Sequence, residues 1–181
     1  MSSDYVDERT NSKVKTIVIA VIALAIIVVA ALWIFITPGY LSKEKAVKNY
    51  FKAVSDENAS LYKRSCYPSK WAKNYDNVGV GIDDMIKGAL NYQSGAKYSN
   101  IKFVSEEKLD KSYAEAFSTS LHHIYKTEMK VSQVVRINFS LDATFAGTTE
   151  NTGTISRYCY KAGGKWYFLS DPSIIVDVGL E

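Results

Sequence analysis

The chain has 181 residues, of which 22 are basic, 19 are acidic and two are histidines, so its formal net charge is +3. So small a surplus, without a basic run or stripe, excludes a protein that binds nucleic acid through its phosphates. The sequence also lacks a phosphate loop, a nucleophile elbow and a Cys/His metal cluster, so no motif specifies a cofactor or a reaction.

A long apolar segment lies near the N-terminus. Residues 17–36 read IVIAVIALAIIVVAALWIFI, a run of 20 residues without a charge. A helix rises about 1.5 Å per residue, so this run spans about 30 Å, the thickness of a bilayer's hydrocarbon core. The run is longer than the apolar part of a signal peptide, and no small-residue cleavage pattern follows it. We predict a single transmembrane helix over residues 16–37.

Cations flank both ends of this predicted span, so a count of nearby charges does not set its orientation. Lys13 and Lys15 adjoin the run directly, and a large domain translocates with little regard to its own charge. Trp33 and Tyr40 suit the outer interface, where aromatic rings lie at the level of the headgroups. We predict a disordered cytoplasmic tail over residues 1–15 and an extracytoplasmic C-terminal part at the cell membrane.

Cys66 and Cys159 both lie in the part of the chain that is predicted to be extracytoplasmic. An oxidising compartment permits one disulfide between them. Two buried free thiols are equally consistent with the sequence, because Cys often serves as a small apolar side chain. Their spacing leaves both alternatives open, since a bridge also requires a suitable Cα separation in the fold.

Helices are predicted first in the C-terminal part, after a linker over residues 38–41. Ser42 can cap a helix that ends near residue 55, with apolar residues at helical spacing on one face. A second, shorter helix ends at Pro68, because proline cannot continue it. A loop then leads to a third helix over about residues 82–93, whose apolar residues again share one side.

Strands are predicted next, with one more helix between the first two. The segment 98–104 alternates as a strand, and Ser112 opens a capping box for a helix that ends near Lys126. The clearest strand signal is 135–145, where apolar and polar residues alternate.

Two further strands close the sequence. A polar turn over 147–153 precedes a strand over 154–161, and Gly163 and Gly164 predict a tight hairpin to a last strand. Together the elements predict an α+β domain over 42–181, with helices packed on a curved antiparallel sheet.

The order of these elements resembles the NTF2-like superfamily, also described as a cystatin-like cone. The resemblance covers residues 42–171 and rests on AVKNYFKAV at 46–54, on the short helix before Pro68, and on GGKWYF at 163–168. It implies a bent sheet that wraps a helix and leaves a cone, whose mouth binds small apolar molecules or is filled by side chains. Members that are anchored in bacterial membranes can serve as parts of assemblies.

Few residues in the sequence suggest a catalytic or metal-binding site. His122 and His123 are adjacent, and neighbouring helical residues point about 100° apart, so the pair is poorly suited to one metal ion. Asp83 and Asp84 fall in the first turn of a predicted helix, where negative charge complements the helix dipole. We predict no catalytic residue, no metal site and no cofactor.

The candidates for a ligand pocket are four aromatic residues and one acid: Tyr50, Trp71, Tyr113, Asp142 and Trp166. The same aromatic spacing is typical of a core. Two functions therefore remain open at this point. One is a non-enzymatic module that binds a partner protein or a second copy of itself at the cell surface. The other is a binder of a small apolar ligand, or an enzyme, that uses the cone.

Overall fold

The structure is a computed structural model that describes residues 18–29, 31 and 38–180. The chain divides into two units, Met1–Thr37 and Pro38–Glu181. The predicted tail over 1–15 and part of the predicted span over 16–37 lie outside the described residues. Residues 18–29 are helical, and their apolar side chains are exposed on all sides. Within the described ranges, no helix combines the length and apolarity needed to cross a bilayer.

The described part of the second unit contains six α-helices. They are α1 (Lys43–Ser55), α2 (Ala59–Cys66), α3 (Ser69–Asn74), α4 (Ile82–Tyr92), α5 (Lys111–Tyr125) and α6 (Pro172–Val178). Ser42 caps α1 as predicted, because its Oγ accepts a hydrogen bond from the Lys45 backbone N–H at 3.2 Å. The Asn58 side chain caps α2 in the same way, accepting from the Leu61 N–H at 2.9 Å.

Five antiparallel strands form one sheet. They are β1 (Lys97–Lys108), β2 (Val131–Phe145), β3 (Thr148–Asn151), β4 (Ile155–Ala162) and β5 (Lys165–Phe168). Their order is β1-β2-β4-β5, and β3 pairs only with the end of β2. The sheet curls into a half-barrel, and the predicted α+β class with helices on a curved antiparallel sheet is confirmed.

Helices cover both faces of the sheet. Cys159 lies opposite Phe168, and Tyr160 lies opposite Tyr167, in the pairing of β4 with β5. Because neighbouring residues of a strand point to opposite faces, these two pairs mark the two sides. Phe168 stacks on Tyr50 of α1, with ring centroids 4.0 Å apart. Tyr160 instead contacts Phe117 of α5 at 4.7 Å.

Two segments predicted to be irregular are regular in the structure. The loop predicted after Pro68 contains α3 and a 3₁₀ helix, Tyr75–Val78, which are too short to show helical periodicity in the sequence. The polar turn predicted over 147–153 contains β3. Its backbone pairs with β2 although its side chains are exposed, so no apolar alternation marked it as a strand.

Two local predictions were wrong in detail. Ser112 does not open α5, which begins at Lys111 and lacks a side-chain cap. Phe145 keeps the alternation of β2 but is 65% exposed. It ends β2 and lies opposite Thr148 of β3 in the β2–β3 hairpin.

The segment predicted as a linker, 38–41, is bound to the domain. Tyr40 and Trp166 form an antiparallel bridge with N–H···O distances of 3.0 and 2.7 Å. The Gly39 N–H donates to the carbonyl of Arg64 at 2.9 Å. Tyr167 Oη donates to the carbonyl of Pro38, also at 2.9 Å. The polypeptide therefore meets the domain at Pro38, beside the outer edge of β5.

We expect Gly39→Ala to destabilise the domain more than Gly95→Ala. The two glycines have nearly the same φ, +83° and +81°, so both substitutions carry a similar backbone cost of about 1–2 kcal/mol. A Cβ at Gly39 would lie 2.5 Å from Tyr167 Cζ, whereas nothing lies within 4 Å at Gly95. This overlap adds about 1–3 kcal/mol. Denaturant unfolding of the full chain, followed by circular dichroism, measures both losses, and equal losses would contradict the expected contact.

Candidate functional site

The predicted pocket residues Tyr50, Trp71 and Trp166 lie in the core. Their exposed fractions are 9%, 0% and 8%. Trp71 contacts Tyr67 edge-on, with ring centroids 4.9 Å apart, and contacts Tyr125 at 5.4 Å. Among the described residues, no ring contact joins any two of the three candidates. These rings fill the interior on both sides of the sheet instead of surrounding one shared space.

The other two pocket candidates lie elsewhere. Tyr113 is partly buried near the start of α5. Asp142 lies on the polar side of β2, where its carboxylate accepts from Asn151 Nδ2 at 2.8 Å and from Asn100 Nδ2 at 2.6 Å. The hydrogen bond from Asn151, followed by that from Asn100, lowers the pKa of Asp142. The structure therefore does not assemble the predicted pocket.

A buried polar cluster that the sequence did not predict is centred on Asp171, whose exposed fraction is 2%. Its Oδ2 accepts from Tyr125 Oη at 2.6 Å and from Tyr75 Oη at 3.3 Å. Its Oδ1 accepts from the Ser173 N–H at 2.9 Å and caps α6. Asp before Pro172 is a helix-start pattern that could have revealed the cap.

The tyrosines of this cluster are held in their protonated form. Burial, followed by the charge of Asp171, raises the pKa of Tyr75 to about 12. Burial, followed by the hydrogen bond to Asp171, also raises the pKa of Tyr125. Both hydroxyls therefore remain donors at neutral pH. Because the carboxylate is almost inaccessible, the cluster can bind α6 to the 3₁₀ helix and to α5, but it offers no open site to a substrate.

Both cysteines are buried free thiols in the structure. Cys66 ends α2 and Cys159 lies on β4. Burial raises the pKa of each thiol above its ordinary value. The thiolate fraction at neutral pH is therefore negligible, and neither group is suited to be a nucleophile or a metal ligand.

We expect a thiol reagent at pH 8 to leave both cysteines of the folded chain unmodified. The thiolate is the reactive form, and both raised pKa and burial suppress it. Addition of denaturant should release two reactive thiols per chain. Absorbance at 412 nm with Ellman's reagent measures both states. A chain that shows no thiol even after unfolding without reductant would instead carry the Cys66–Cys159 disulfide.

The remaining candidate residues are exposed on the surface. His122 Nδ1 lies 2.9 Å from Glu128 Oε1, beside a groove of about 540 Å³. Asp83 pairs with Lys63 at 2.8 Å in the first turn of α4. Among the described residues, no three His, Cys, Asp or Glu side chains lie close enough together to hold a metal ion.

A second groove, of about 430 Å³, runs between α5 and α6. Ile124, Pro172 and Val176 supply its apolar walls, and Ser173 and Asp177 lie beside them. Val176 is 79% exposed. Asp177 accepts a hydrogen bond from Ser120, which fixes the position of α6 against α5. This α5–α6 groove is an open, largely apolar surface between two helices, and its open form suits a protein side chain better than an enclosed small molecule.

Comparison of the chain with protein-family models, with curated proteins and with solved structures finds no match.

Proposed function

We propose that this chain is a single-pass membrane protein of the cell envelope, with an extracytoplasmic NTF2-like domain that acts by binding a protein. The partner is another envelope protein or a second copy of the chain. The N-terminal residues 1–15 remain in the cytoplasm, and residues 16–37 anchor the domain in the membrane. The domain performs no catalysis in this proposal.

The membrane anchor is supported by sequence and by local structure. The described helical residues 18–29 are all apolar, and their side chains are exposed on every side. A helix that is apolar all round requires a buried or a lipid environment. The run continues in sequence to residue 36, and the chain is bound to the domain from Pro38 onwards.

The NTF2-like assignment is supported by the arrangement of the elements. The sheet is antiparallel and curled, α1 packs against one face of it, and the closing hairpin turns through Gly163 and Gly164. These features agree with the resemblance in the sequence. The fold alone carries no function, since the same architecture hosts unrelated activities.

One observation favours a protein-binding function over catalysis. The aromatic rings that could line a cone-shaped pocket are packed in the core. Tyr50 stacks on Phe168, and Trp71 is surrounded by Tyr67, Phe117 and Tyr125. The buried carboxylate of Asp171 likewise accepts three hydrogen bonds from within the domain. This packing favours the protein-binding hypothesis over the alternative of a small-ligand binder or an enzyme.

The first experiment tests the anchor in intact cells. We expect the full-length chain in the membrane fraction, and we expect it to stay there after washing with carbonate at pH 11. Protease added to the outside should digest the domain while the tail stays protected. Recovery of the mature chain in a soluble fraction would contradict the anchor.

The second experiment tests binding at the α5–α6 groove. A photo-crosslinking residue at Val176 is compared with one at Thr149, which is exposed on β3. We expect a discrete adduct from position 176 and none from position 149, and the mass of the adduct distinguishes a second copy from another protein. Reaction of the photo-crosslinking residue at position 176 with lipid or water shows that it is active. If it is active and yields only monomer, the result would contradict binding at this groove.

A further inference from the structure

One edge of the sheet is open within the part of the chain that the structure describes. The strand order makes β1 and β5 the two edges, and β5 is covered by its bridge to Tyr40. Near the start of β1, the Tyr98 N–H donates to Ser55 Oγ at the end of α1. From Lys102 to Lys108, the backbone of β1 has hydrogen-bond partners only in β2 among the described residues. We call Lys102–Lys108 the β1 edge.

The β1 edge is exposed as well as open. Phe103 is partly buried, whereas the other residues of the edge are exposed, Val104 at 61%. An exposed edge offers a row of backbone N–H and C=O groups to a strand of another chain. Charged side chains restrict which strand can pair there, and on this edge they are Lys102, Glu106, Glu107 and Lys108.

The pairing of β1 with β2 shows that Lys102 and Glu107 share a face of the sheet. Lys102 lies opposite Ser140, and Glu107 lies opposite Arg136. Residues of one strand that are an even number of positions apart point to the same face, so Ser140 and Arg136 mark one face. Lys102 and Glu107 lie on that face although five positions separate them, because the register shifts after Phe103.

Phe103 and Glu106 lie on the other face, which α1 covers. Phe103 is opposite Phe139, and the Phe139 ring contacts Phe51 of α1 with centroids 5.6 Å apart. Lys48 of α1 places its Nζ 5.6 Å from the centre of the Phe103 ring. This face of the edge therefore carries a cation above Phe103 and a carboxylate three positions further along the strand.

The two carboxylates of the edge have partners within the chain but remain accessible. Glu106 pairs with Lys43 at 2.7 Å, and Glu107 pairs with Arg136 at 2.9 Å. Their side chains are still 52% and 56% exposed, and a carboxylate has about four acceptor positions. Lys102 is exposed and forms no salt bridge with a described residue, although its charge reaches Asp142.

The charges of the β1 edge are complementary to the same edge of a second copy. In an antiparallel pair with a twofold axis between Val104 and Ser105, Lys102 lies opposite Glu107 of the second copy, on the same face, and the pair occurs twice. Opposite charges across two strands stabilise their pairing. A shift of two residues in either direction removes both pairs, and a parallel arrangement in register places like charges opposite each other.

The same register is also complementary on the face that α1 covers. It places Glu106 of the second copy opposite Phe103, whose ring lies beneath the ammonium group of Lys48. A cation therefore meets a carboxylate on both faces of the paired edges. No like charges lie directly opposite each other between Lys102 and Lys108 in this register.

We propose that the β1 edge is a self-association site, at which a second copy of this chain adds its own β1 as an antiparallel strand. The two sheets then form one continuous sheet across the twofold axis. This inference rests on the proposed protein-binding function and deepens it, because it names the partner. It uses a surface other than the α5–α6 groove.

Disulfide crosslinking of the full chain in a neutral detergent tests the register. Chains with Lys102→Cys and chains with Glu107→Cys are mixed and oxidised, while the native thiols stay buried. We expect a dimer that contains one chain of each kind, because directly opposite residues lie about 5 Å apart, within the reach of a disulfide. Either variant alone should give little dimer, since a cysteine and its own copy are about 17 Å apart. Gel electrophoresis without reductant, with one variant carrying a size tag, measures the products.

Charge reversal tests whether the Lys102–Glu107 pair drives association. Lys102→Glu should lower the association constant at least about tenfold, because two carboxylates then lie opposite each other twice. Lys102→Glu with Glu107→Lys should restore it to within about threefold, since opposite charges meet again between the copies. An effect within one chain would not be restored, because Arg136 would still face a lysine. Lys87→Glu, on the exposed face of α4, is the control and should leave the constant unchanged. Sedimentation equilibrium of the full chain in detergent measures all four proteins.

Three results would overturn the proposal. They are equal dimer yields from the mixed and the single cysteine variants, equal effects of Lys102→Glu and Lys87→Glu, and a failure of the double reversal to restore association. The photo-crosslinked adduct at Val176 is read separately. An adduct there without pairing at the β1 edge would end this inference and leave the protein-binding function standing, whereas the absence of both would end the two together.

Discussion

Trp71→Ala is expected to lower the free energy of unfolding by about 3–5 kcal/mol. Trp71 is completely buried, and its ring contacts four other rings, those of Tyr67, Phe117, Tyr125 and Tyr160. Truncation to alanine removes the apolar contact area and leaves a cavity that the surrounding helices and sheet cannot fill. Denaturant unfolding of the full chain measures this loss.

Two variants separate this packing effect from other consequences of losing a tryptophan. Trp71→Phe keeps a ring in place, and the indole N–H that it removes has no acceptor among the described residues, so we expect a smaller loss of about 1–3 kcal/mol. Tyr92→Ala removes an aromatic ring that is 92% exposed and should change stability by less than about 0.5 kcal/mol. Similar losses for Trp71→Ala and Tyr92→Ala would contradict the central place of Trp71 in the core.

Asp171→Ala is expected to cost about 3–5 kcal/mol, because it leaves two buried donors unsatisfied and removes a helix cap. The donors are the hydroxyls of Tyr75 and Tyr125, and the cap is the contact with the Ser173 N–H. Asp171→Asn keeps one acceptor oxygen, which can maintain the cap on the Ser173 N–H, and its amide NH2 can donate to a tyrosine hydroxyl, so its loss should be smaller. The unfolding free energies of both variants test this order.

A double-mutant cycle assigns the loss to the cluster. Tyr125→Phe should cost less in the Asp171→Ala background than in the wild type, because its hydrogen bond is already absent there. Asp84→Ala is the control, since Asp84 is an exposed carboxylate in the first turn of α4, and we expect it to cost less than about 1 kcal/mol. Additive losses for Tyr125 and Asp171 would contradict their hydrogen bond.

Much of the secondary structure could be predicted because its signals are local. The Ser42 cap, the apolar face of α1 and the turn at Gly163 and Gly164 each lie within a few residues of the element that they define. Both glycines have the positive φ that the hairpin requires. The alternation over 135–145 likewise predicted the buried residues Val135, Ile137, Phe139 and Leu141, whereas Ala143 is partly buried and Phe145 is exposed. It did not reveal that β2 begins at Val131.

The parts that escaped prediction depend on residues that are distant in the sequence. Tyr75 and Asp171 lie 96 positions apart, and the hydroxyl of Tyr167 reaches Pro38 across 129 positions. No periodicity connects such residues, since it shows which face of an element is buried but not what covers that face. The short α3 and the polar β3 escaped for the related reason that their stability comes from tertiary packing and backbone pairing.

The sequence by itself determined the α+β class, the order of most helices and strands, and the apolar run before residue 38. Each of these follows from the composition and spacing of residues that are close together in the sequence. Only the tertiary structure decided that Tyr50, Trp71 and Trp166 belong to the core, that Asp171 joins α6 to its neighbours, and that Tyr40 pairs with Trp166 at the outer edge of β5. These features depend on which faces of the helices and strands pack against each other. Contacts between residues that are distant in the sequence determine that packing.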